Sequence, residues 1–270
     1  MDMCGIVGYV GGQDATQVVV DGLRRLEYRG YDSAGVAVVT GTGVQSRKRA
    51  GKLANLEKAL AESPLPDTSV GIGHTRWATH GAPNDVNAHP HLSEDGRLAV
   101  IHNGIIENFA ELRESLRGDG VTFLSETDTE VAAHLLSREL RRADDLTVAM
   151  QRTCQQLRGA FTLVAAWADD PRALVAARRN SPLVVGLGEG ETFLASDVSA
   201  FIAHTKQALE LGQDQVVTIT REGVTITDFD GGVAAGTPYE VTWDASAAEK
   251  GGYDLFMLKE IAEQPKAVAD

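Results

Sequence analysis

Cys4 is placed to act as a nucleophile, because it lies within a few residues of the start of the chain. A terminal α-amine titrates near ~8 and a free thiol near ~8.5, so a thiol beside that amine could use it as a base. The alternative is structural, since the apolar run at residues 5–10 predicts a core strand that a small thiol could open. This segment alone leaves both interpretations open.

Asn103 and Gly104 could stabilise the negative charge that attack by a thiolate creates on an amide oxygen. Such an oxyanion requires hydrogen-bond donors aimed at it. No side chain shields the N–H of a glycine, and the asparagine amide offers a second donor without adding charge. The pair follows the apolar run 98–101, at a predicted junction of strand and loop. Asn-Gly is also a common turn, so the pair indicates an oxyanion hole only together with the other candidate site residues.

Arg76 and Asp128 could bind the two charged ends of a free amino acid. The planar fork of arginine matches a carboxylate with two hydrogen bonds, and an aspartate can receive an ammonium group. Each residue could instead be half of an ordinary ion pair, which is common and weak at a surface. Their position in polar stretches without a clear period favours the binding role.

The seven histidines suggest a zinc site as a further alternative, with His89, His91, His102 and Asp128 as possible ligands. Their spacing fits no standard zinc pattern, and the sequence therefore predicts no metal and no cofactor. Cys154 lies in a predicted helix, where we interpret it as a packing residue. Two cysteines are too few for a disulfide scaffold.

Composition excludes several functional classes. The chain has 270 residues, 43% hydrophobic and 23% charged, which is typical of a folded globular protein. Its formal net charge of −13 opposes attraction to a phosphate backbone, so nucleic acid is not an expected partner. No apolar run approaches the roughly 20 residues that cross a bilayer, and no secretion signal is evident. We expect a cytoplasmic protein without a membrane partner.

The elements that must position these residues follow from hydrophobic periodicity. Helices are predicted near 19–27, 51–62, 109–116, 127–136 and 256–265, and Thr127 and Glu130 have the spacing of a capping box. Strands are predicted at 6–10, 36–39, 70–74, 98–101, 161–166, 174–177, 183–186, 193–195, 216–219 and 224–226. The late strands are neighbours joined by turns, which favours antiparallel pairing. The glycines at 186–190 precede a strand rather than a helix, and so predict a hairpin turn instead of a phosphate loop.

Six stretches of the sequence together resemble one family. They are residues 4–8, 27–35, 73–81, 87–91, 102–108 and 125–131. In order and content they are similar to class II glutamine amidotransferases, and most of all to the glutaminase domains of the glucosamine-6-phosphate synthase family. Tyr-Arg-Gly-Tyr-Asp at 28–32 and Arg-Trp-Ala-Thr-His at 76–80 separate this family from the purine and asparagine amidotransferases.

The resemblance implies an architecture and partners. The expected class is α+β, an N-terminal nucleophile hydrolase fold with four layers, αββα, and two antiparallel sheets. Residues 1–250 would form the glutaminase domain, and residues 251–270 would begin a linker to sugar-isomerase domains. In the full-length family enzyme these domains convert fructose 6-phosphate, and a homodimer is expected. The implied substrate of the present chain is L-glutamine.

The resemblance also implies a role for each site residue. The thiol of Cys4 would attack the side-chain amide of glutamine, release ammonia and leave a thioester that water hydrolyses to glutamate. The other implied roles are an oxyanion hole of Asn103 and the Gly104 N–H, substrate clamps Arg76 and Asp128, pocket lining by Thr79 and His80, and a supporting loop of Arg29 and Gly30. Trp77 matches a position associated with ammonia gating, although a large hydrophobic anchor is an equal alternative.

Three residues before the nucleophile open a second hypothesis. The family nucleophile is the first residue of the mature chain, whereas Met1-Asp2-Met3 precedes Cys4 here. If those residues are retained, the nitrogen of Cys4 is a peptide amide and cannot act as a base. The alternative function is therefore a module that binds glutamine or glutamate and is catalytically silent.

Overall fold

The computed structural model describes residues 4–243 and the separate positions 258, 261, 262 and 264. Within residues 4–243 the α-helices are α1 (Ala15–Arg25), α2 (Leu53–Glu62), α3 (Phe109–Gly118), α4 (Asp128–Ala143) and α5 (Leu146–Gln156). Short 3-10 turns lie at Glu27–Arg29 and Val198–Ala200. In this described part, no helix is long and apolar enough to span a bilayer.

The strands form two sheets. Their bounds are β1 (Gly5–Val10), β2 (Ser33–Thr40), β3 (Gly43–Ala50), β4 (Val70–Arg76), β5 (His91–Leu92), β6 (Leu98–Ile106), β7 (Gly159–Trp167), β8 (Ala173–Arg179), β9 (Val184–Gly188), β10 (Glu191–Ala195), β11 (Gln207–Glu210), β12 (Gln215–Thr220), β13 (Val224–Asp228) and β14 (Thr237–Glu240). One sheet has the order β14-β11-β9-β10-β1-β4-β2-β3 and the other β13-β12-β8-β7-β6-β5. Every described pairing is antiparallel, as the sequence predicts.

Three apolar layers hold the sheets and helices together. Alternation along β1 sends Ile6 into the layer between the sheets and Val7 into the layer beneath α1 and α2. Along β6, Ile101 enters the layer between the sheets, while Val100 packs toward α3, α4 and α5. The resulting arrangement is helix, sheet, sheet, helix, which confirms the expected four-layer αββα sandwich.

The strands that the sequence does not predict lie mostly at sheet edges. β3, β5 and β14 are terminal strands in the two sheet orders, and β11 is paired with β14. The central part of β3 is Gln-Ser-Arg-Lys-Arg, and all four residues of β14 are exposed. Charged and polar side chains are favoured on edge strands because they discourage pairing with other chains, and they also remove the apolar alternation that identifies a strand.

Several smaller predictions have clear outcomes. β9 and β10 form a hairpin in which Gly188 pairs with Glu191, so the glycine-rich segment is a turn, as predicted. Cys154 is completely buried in α5, and burial raises the pKa of its thiol, which confirms its packing role. In the predicted helix 256–265, the described positions 258, 261, 262 and 264 are helical, and the rest lies outside the described residues. Met1-Asp2-Met3 and the domain boundary at 250 also lie outside them.

Candidate active site

Four chain segments that are distant in sequence meet at one end of the layer between the sheets. In the register of β1 with β4, Gly5 lies opposite Thr75, which brings Cys4 next to the end of β4. β6 supplies a second wall and the first turn of α4 a third. They enclose a cavity of about 360 Å³, within the usual size range of small-molecule sites. Its lining residues are Cys4, Arg76, Trp77, Thr79, His89, His102, Gly104, Ile105, Asp128 and Thr129.

The Cys4 residue is held by hydrogen bonds at both its sulfur and its carbonyl oxygen. The N–H of Trp77 donates to Sγ at 3.1 Å, and Sγ lies 3.7 Å from the Trp77 carbonyl oxygen. The Cys4 carbonyl accepts from Arg29 Nη1 at 3.4 Å and from Asn103 Nδ2 at 3.2 Å. A backbone donor at the sulfur favours negative charge there, as a nucleophilic thiolate requires.

Arg29 links the Cys4 segment to a part of the chain that sequence reasoning missed. Its Nη2 donates to the Ser196 carbonyl at 3.3 Å and to Asp197 Oδ2 at 3.1 Å. Ser196 also accepts the Ile6 N–H at its Oγ, at 3.1 Å. Ser196 and Asp197 follow the end of β10, and only the three-dimensional pairing of β10 with β1 brings them close. Gly30 follows Arg29 with a positive φ of 76°.

Asn103 and Gly104 lie inside β6, which corrects the predicted junction of strand and loop. They pair with Thr162 and Phe161 of β7, because the ladder continues to Ile106. Gly104 has φ 109°, and a Cβ there would lie 2.0 Å from the Ala160 carbonyl oxygen, so only glycine fits. Gly104 lines the cavity, whereas Asn103 is not among the lining residues and its side chain donates to the Cys4 carbonyl.

The Arg76 guanidinium is buried, with 4% of the residue exposed. It donates to the carbonyl oxygens of His80, Gly81 and Ala82, which fold the segment after β4 around it. These partners are neutral, so they orient the cation without cancelling its charge. Burial lowers the pKa of the guanidinium, which nevertheless stays protonated at neutral pH. A buried cation that lines a cavity is suited to bind a carboxylate.

Asp128 is the first residue of α4 and lines the cavity opposite the end of β4. Thr127 caps the helix by accepting the Glu130 N–H at its Oγ1, which confirms this half of the capping box. The Glu130 carboxylate turns away and accepts from the N–H groups of Leu124 and Ser125. Asp128 Oδ2 accepts from the Ile106 N–H at 3.0 Å, and the helix N-terminus favours its negative charge.

The remaining predicted site residues divide into two groups. Trp77 and Thr79 line the cavity, and the Trp77 side chain is 45% exposed at its mouth. His80 is not among the lining residues. Its ring packs edge-on against Phe109 with centroids 4.9 Å apart, and its contribution is the carbonyl that receives Arg76.

The histidine rings near the cavity contact one another, in a tilted pair and an edge-on pair. The rings of His74 and His89 have centroids 4.2 Å apart, and those of His89 and His91 are 5.2 Å apart. Burial lowers the pKa of His74 to about 3 and lowers the pKa of His89 and His91 well below the ordinary range. Among the residues that the structure describes, no group of His, Cys, Asp and Glu is arranged to hold a metal ion.

Comparison with known proteins identifies the family. Residues 61–231 match the family described as Glutamine amidotransferase domain, a range that contains Arg76, Asn103, Gly104 and Asp128. This match covers more than half of the chain. The chain belongs to the glutamine amidotransferase domain family. Curated relatives extend the similarity of this amidotransferase domain through nearly its whole length, including the region of Cys4.

Those relatives are named glutamine–fructose-6-phosphate aminotransferase (isomerizing). The protein from Streptomyces coelicolor is 67% identical over 268 residues, and that from Leifsonia xyli is 62% identical over 269 residues. The protein from Mycobacterium tuberculosis is 60% identical over 278 residues. Each alignment covers 99% of this chain, but the chain spans only about 44–45% of the length of these relatives.

Solved structures share the amidotransferase fold. Glutamine phosphoribosylpyrophosphate amidotransferase from B. subtilis superimposes with a TM-score of 0.71 at 24% identity, over 85% of this chain and 50% of that chain. A structure described as the allosteric regulatory enzyme of purine biosynthesis gives a TM-score of 0.72 at 27% identity, over 84% of this chain and 49% of that chain. The fold is therefore that of the N-terminal nucleophile hydrolase amidotransferases.

Proposed function

We propose that this chain hydrolyses L-glutamine to glutamate and ammonia through a glutamyl thioester on Cys4. The observation that carries the proposal is the convergence of a thiol, a buried cation, a carboxylate and a strained glycine on one small cavity. Cys4, Arg76, Gly104 and Asp128 come from four separate segments and all line it. This set matches the two charges and the amide carbon of glutamine.

In the first half-reaction, the substrate is oriented by its charged end. Arg76 receives the α-carboxylate with two hydrogen bonds, and Asp128 receives the α-ammonium. The Cys4 sulfur attacks the side-chain amide carbon, and the carbonyl electrons move to the oxygen. The Gly104 N–H and the Asn103 amide stabilise that oxyanion. Collapse of the intermediate breaks the C–N bond, and ammonia leaves with the proton that the thiol gave up.

In the second half-reaction, water replaces ammonia. A water molecule attacks the thioester carbon, the same two donors stabilise the second oxyanion, and the C–S bond breaks. The thiol regains a proton, and glutamate leaves the clamps. Both steps need a base near the sulfur, and the α-amine of Cys4 fills that role when this residue begins the chain.

Retention of Met1-Asp2-Met3 would remove that base. The Cys4 nitrogen would then be a peptide amide, and a protein that binds glutamine without hydrolysing it is the expected result for that form. The proposal therefore requires removal of these three residues or initiation of translation at Met3 followed by loss of that methionine.

The test combines N-terminal sequencing and intact mass with a glutaminase assay. Protein proven to begin at Cys4 should release glutamate and ammonia from glutamine. Protein proven to begin at Met1 should bind glutamate but should form no glutamate from glutamine. A chain that begins at Cys4 and gives no glutamate from glutamine would refute the proposed hydrolysis. Strong turnover by a chain that begins at Met1 would refute the requirement for the free amine.

We also propose the larger context of this reaction. The names of the relatives favour a role as the ammonia-donating half of glucosamine 6-phosphate synthesis from fructose 6-phosphate, with sugar-isomerase domains as the partner. Residues 251–270 would lead into those domains, and a full-length cytoplasmic homodimer is expected. The assay is transfer of amide nitrogen from ¹⁵N-labelled glutamine to fructose 6-phosphate by the full-length enzyme and by the present chain. Only the full-length enzyme should transfer it.

A further inference from the structure

The Asn103 amide makes two hydrogen bonds that together fix which way it points. Its Nδ2 donates to the Cys4 carbonyl at 3.2 Å. Its Oδ1 lies 2.8 Å from Nε2 of His74, and both side chains are buried. Since the Cys4 carbonyl can only accept, the NH₂ end of the amide must face Cys4, and the oxygen must face the histidine.

This orientation determines where the proton of His74 lies. An amide oxygen cannot donate, so Nε2 must carry the hydrogen and donate it to Oδ1. The His74 ring also packs against the His89 ring, with centroids 4.2 Å apart and the planes tilted by 33°, which restricts its rotation. In the register of the sheet, His74 lies between Ile6 of β1 and Gly35 of β2. These neighbouring strands give the ring little room to move.

The same geometry leaves a donor available for catalysis. An asparagine NH₂ group has two hydrogens, and the Cys4 carbonyl takes one of them. In the proposed reaction, the second hydrogen is the one that the oxyanion would receive. If the amide were flipped, Oδ1 would face both the Cys4 carbonyl and the developing negative charge, and two repulsive contacts would replace two attractive ones. Holding the amide in one orientation is therefore necessary for the oxyanion hole.

We propose that His74 is a positioning residue, whose Nε2–H locks the Asn103 amide with its NH₂ end toward Cys4 and the oxyanion. His74 is not among the residues that line the cavity. Its effect passes entirely through Asn103. The inference rests on the proposed glutamine hydrolysis, because the oxyanion is an intermediate of that reaction.

The first test is a double-mutant cycle on protein that begins at Cys4. His74→Leu removes the donor and keeps a similar side-chain volume. It should lower kcat about 10- to 100-fold, which does not exceed the loss expected when a whole oxyanion donor is removed. The KM for glutamine should change by no more than about twofold. His74→Gln keeps an N–H near the Nε2 position and should restore most of kcat. In an Asn103→Leu background, His74→Leu should cause no further loss of kcat.

Three results would overturn the positioning role. The first is an unchanged kcat in His74→Leu. The second is that His74→Leu lowers kcat as much in the Asn103→Leu background as in the wild-type protein. The third is a kcat of His74→Gln as low as that of His74→Leu. A purely structural role would instead lower the midpoint of thermal unfolding and raise KM in both variants.

A second measurement does not depend on any variant. ¹⁵N NMR of the histidine rings should show His74 as the Nε2–H tautomer, unchanged between pH 5 and pH 8. The Nδ1–H tautomer would contradict the proposal even if all variants fail to fold. This result also separates the two proposals. A wild-type chain without glutaminase turnover refutes the hydrolysis, whereas the wrong tautomer refutes only the role of His74.

Discussion

At the scale of single residues, Arg76 combines burial with side-chain hydrogen bonds to neutral groups. Its hydrogen bonds go to three carbonyl oxygens of residues 80–82, and it lines the cavity. An arginine in an ordinary ion pair would contact a carboxylate instead. Removing a cation from water is costly, so the fold retains Arg76 at a position where a ligand carboxylate can compensate it.

Replacing Arg76 should chiefly weaken substrate binding. A hydrogen bond to a charged group contributes about 1.5–3 kcal/mol, so Arg76→Ala should raise KM for glutamine roughly 10- to 150-fold. Steady-state glutaminase kinetics measure the change. Arg172→Ala is the matched control, because Arg172 is exposed in the turn between β7 and β8 and does not line the cavity. An unchanged KM in Arg76→Ala would contradict the carboxylate clamp.

Sequence reasoning found the residues that line the cavity better than those that support them. Cys4, Arg76 and Asp128 carry unusual chemistry in polar stretches, so their types alone indicate a site. Ser196 and His74 carry no such signal, because their roles come from strand register. Ser196 lies near the Cys4 segment only through the pairing of β10 with β1, and His74 contacts Asn103 across the layer between the two sheets.

At the scale of elements, β6 and α4 place the two sides of the site. β6 continues straight through Asn103 and Gly104 because β7 offers a partner for each residue up to Ile106. The polar residues after Ile101 remove the apolar signal of a strand, so the sequence predicts its end there. Apolar alternation identifies central strands, and pairing across the sheet decides how far they extend.

Gly104 should tolerate no side chain. Gly104→Ala places a Cβ 2.0 Å from the Ala160 carbonyl and keeps an unfavourable φ of 109°. We expect a loss of about 1–3 kcal/mol in the free energy of unfolding and a lower kcat, because β6 must shift away from β7. Denaturant unfolding and glutaminase assays measure the two effects. Gly118→Ala, at the open end of α3, should change neither. Full activity of Gly104→Ala would contradict the oxyanion role of this backbone.

The cap of α4 should affect substrate binding as well as stability. Thr127→Ala removes the N-cap and should cost about 1 kcal/mol of unfolding free energy, with a several-fold rise in KM because Asp128 is the next residue. Asp145→Ala removes the N-cap of α5, away from the cavity. It should cost a similar free energy and leave KM unchanged. Equal KM values in both variants would show that α4 does not position Asp128.

At the scale of the whole molecule, the site lies where the two sheets meet. β1 and β4 are central in one sheet, β6 lies near the end of the other, and the histidine rings contact one another between them. The four-layer architecture was predictable from the family resemblance and the antiparallel signals. The contacts among the histidine rings were not predictable, because they depend on which strands face each other across the layer.

The buried histidines should make the fold sensitive to acid. Burial lowers the pKa of His74 to about 3 and lowers the pKa of His89 and His91 well below ordinary values. Unfolded histidines titrate near ~6.5, so below that pH the unfolded chain binds protons that the folded chain does not. Stability should therefore be complete above about pH 6.5 and fall toward pH 3, by up to about 1.4 kcal/mol per pH unit for each histidine.

Denaturant unfolding at pH 5.5 and pH 7.5 measures this slope. The variant His89→Leu should reduce this pH dependence by an average of about half a proton between the two pH values, or about 1.4 kcal/mol in total. A stability that does not change over this range would contradict the burial of neutral histidines.

The role of Cys4 as nucleophile is tested most directly by labelling. The reagent is a glutamine analogue in which a chloromethyl ketone replaces the side-chain amide, added to protein proven to begin at Cys4 and followed by peptide mass spectrometry. We expect one adduct, on Cys4, and none on Cys154, which is buried with the pKa of its thiol raised. Cys4→Ala should bind glutamate yet remain unlabelled and inactive. An adduct on Cys154, or hydrolysis by Cys4→Ala, would contradict the account.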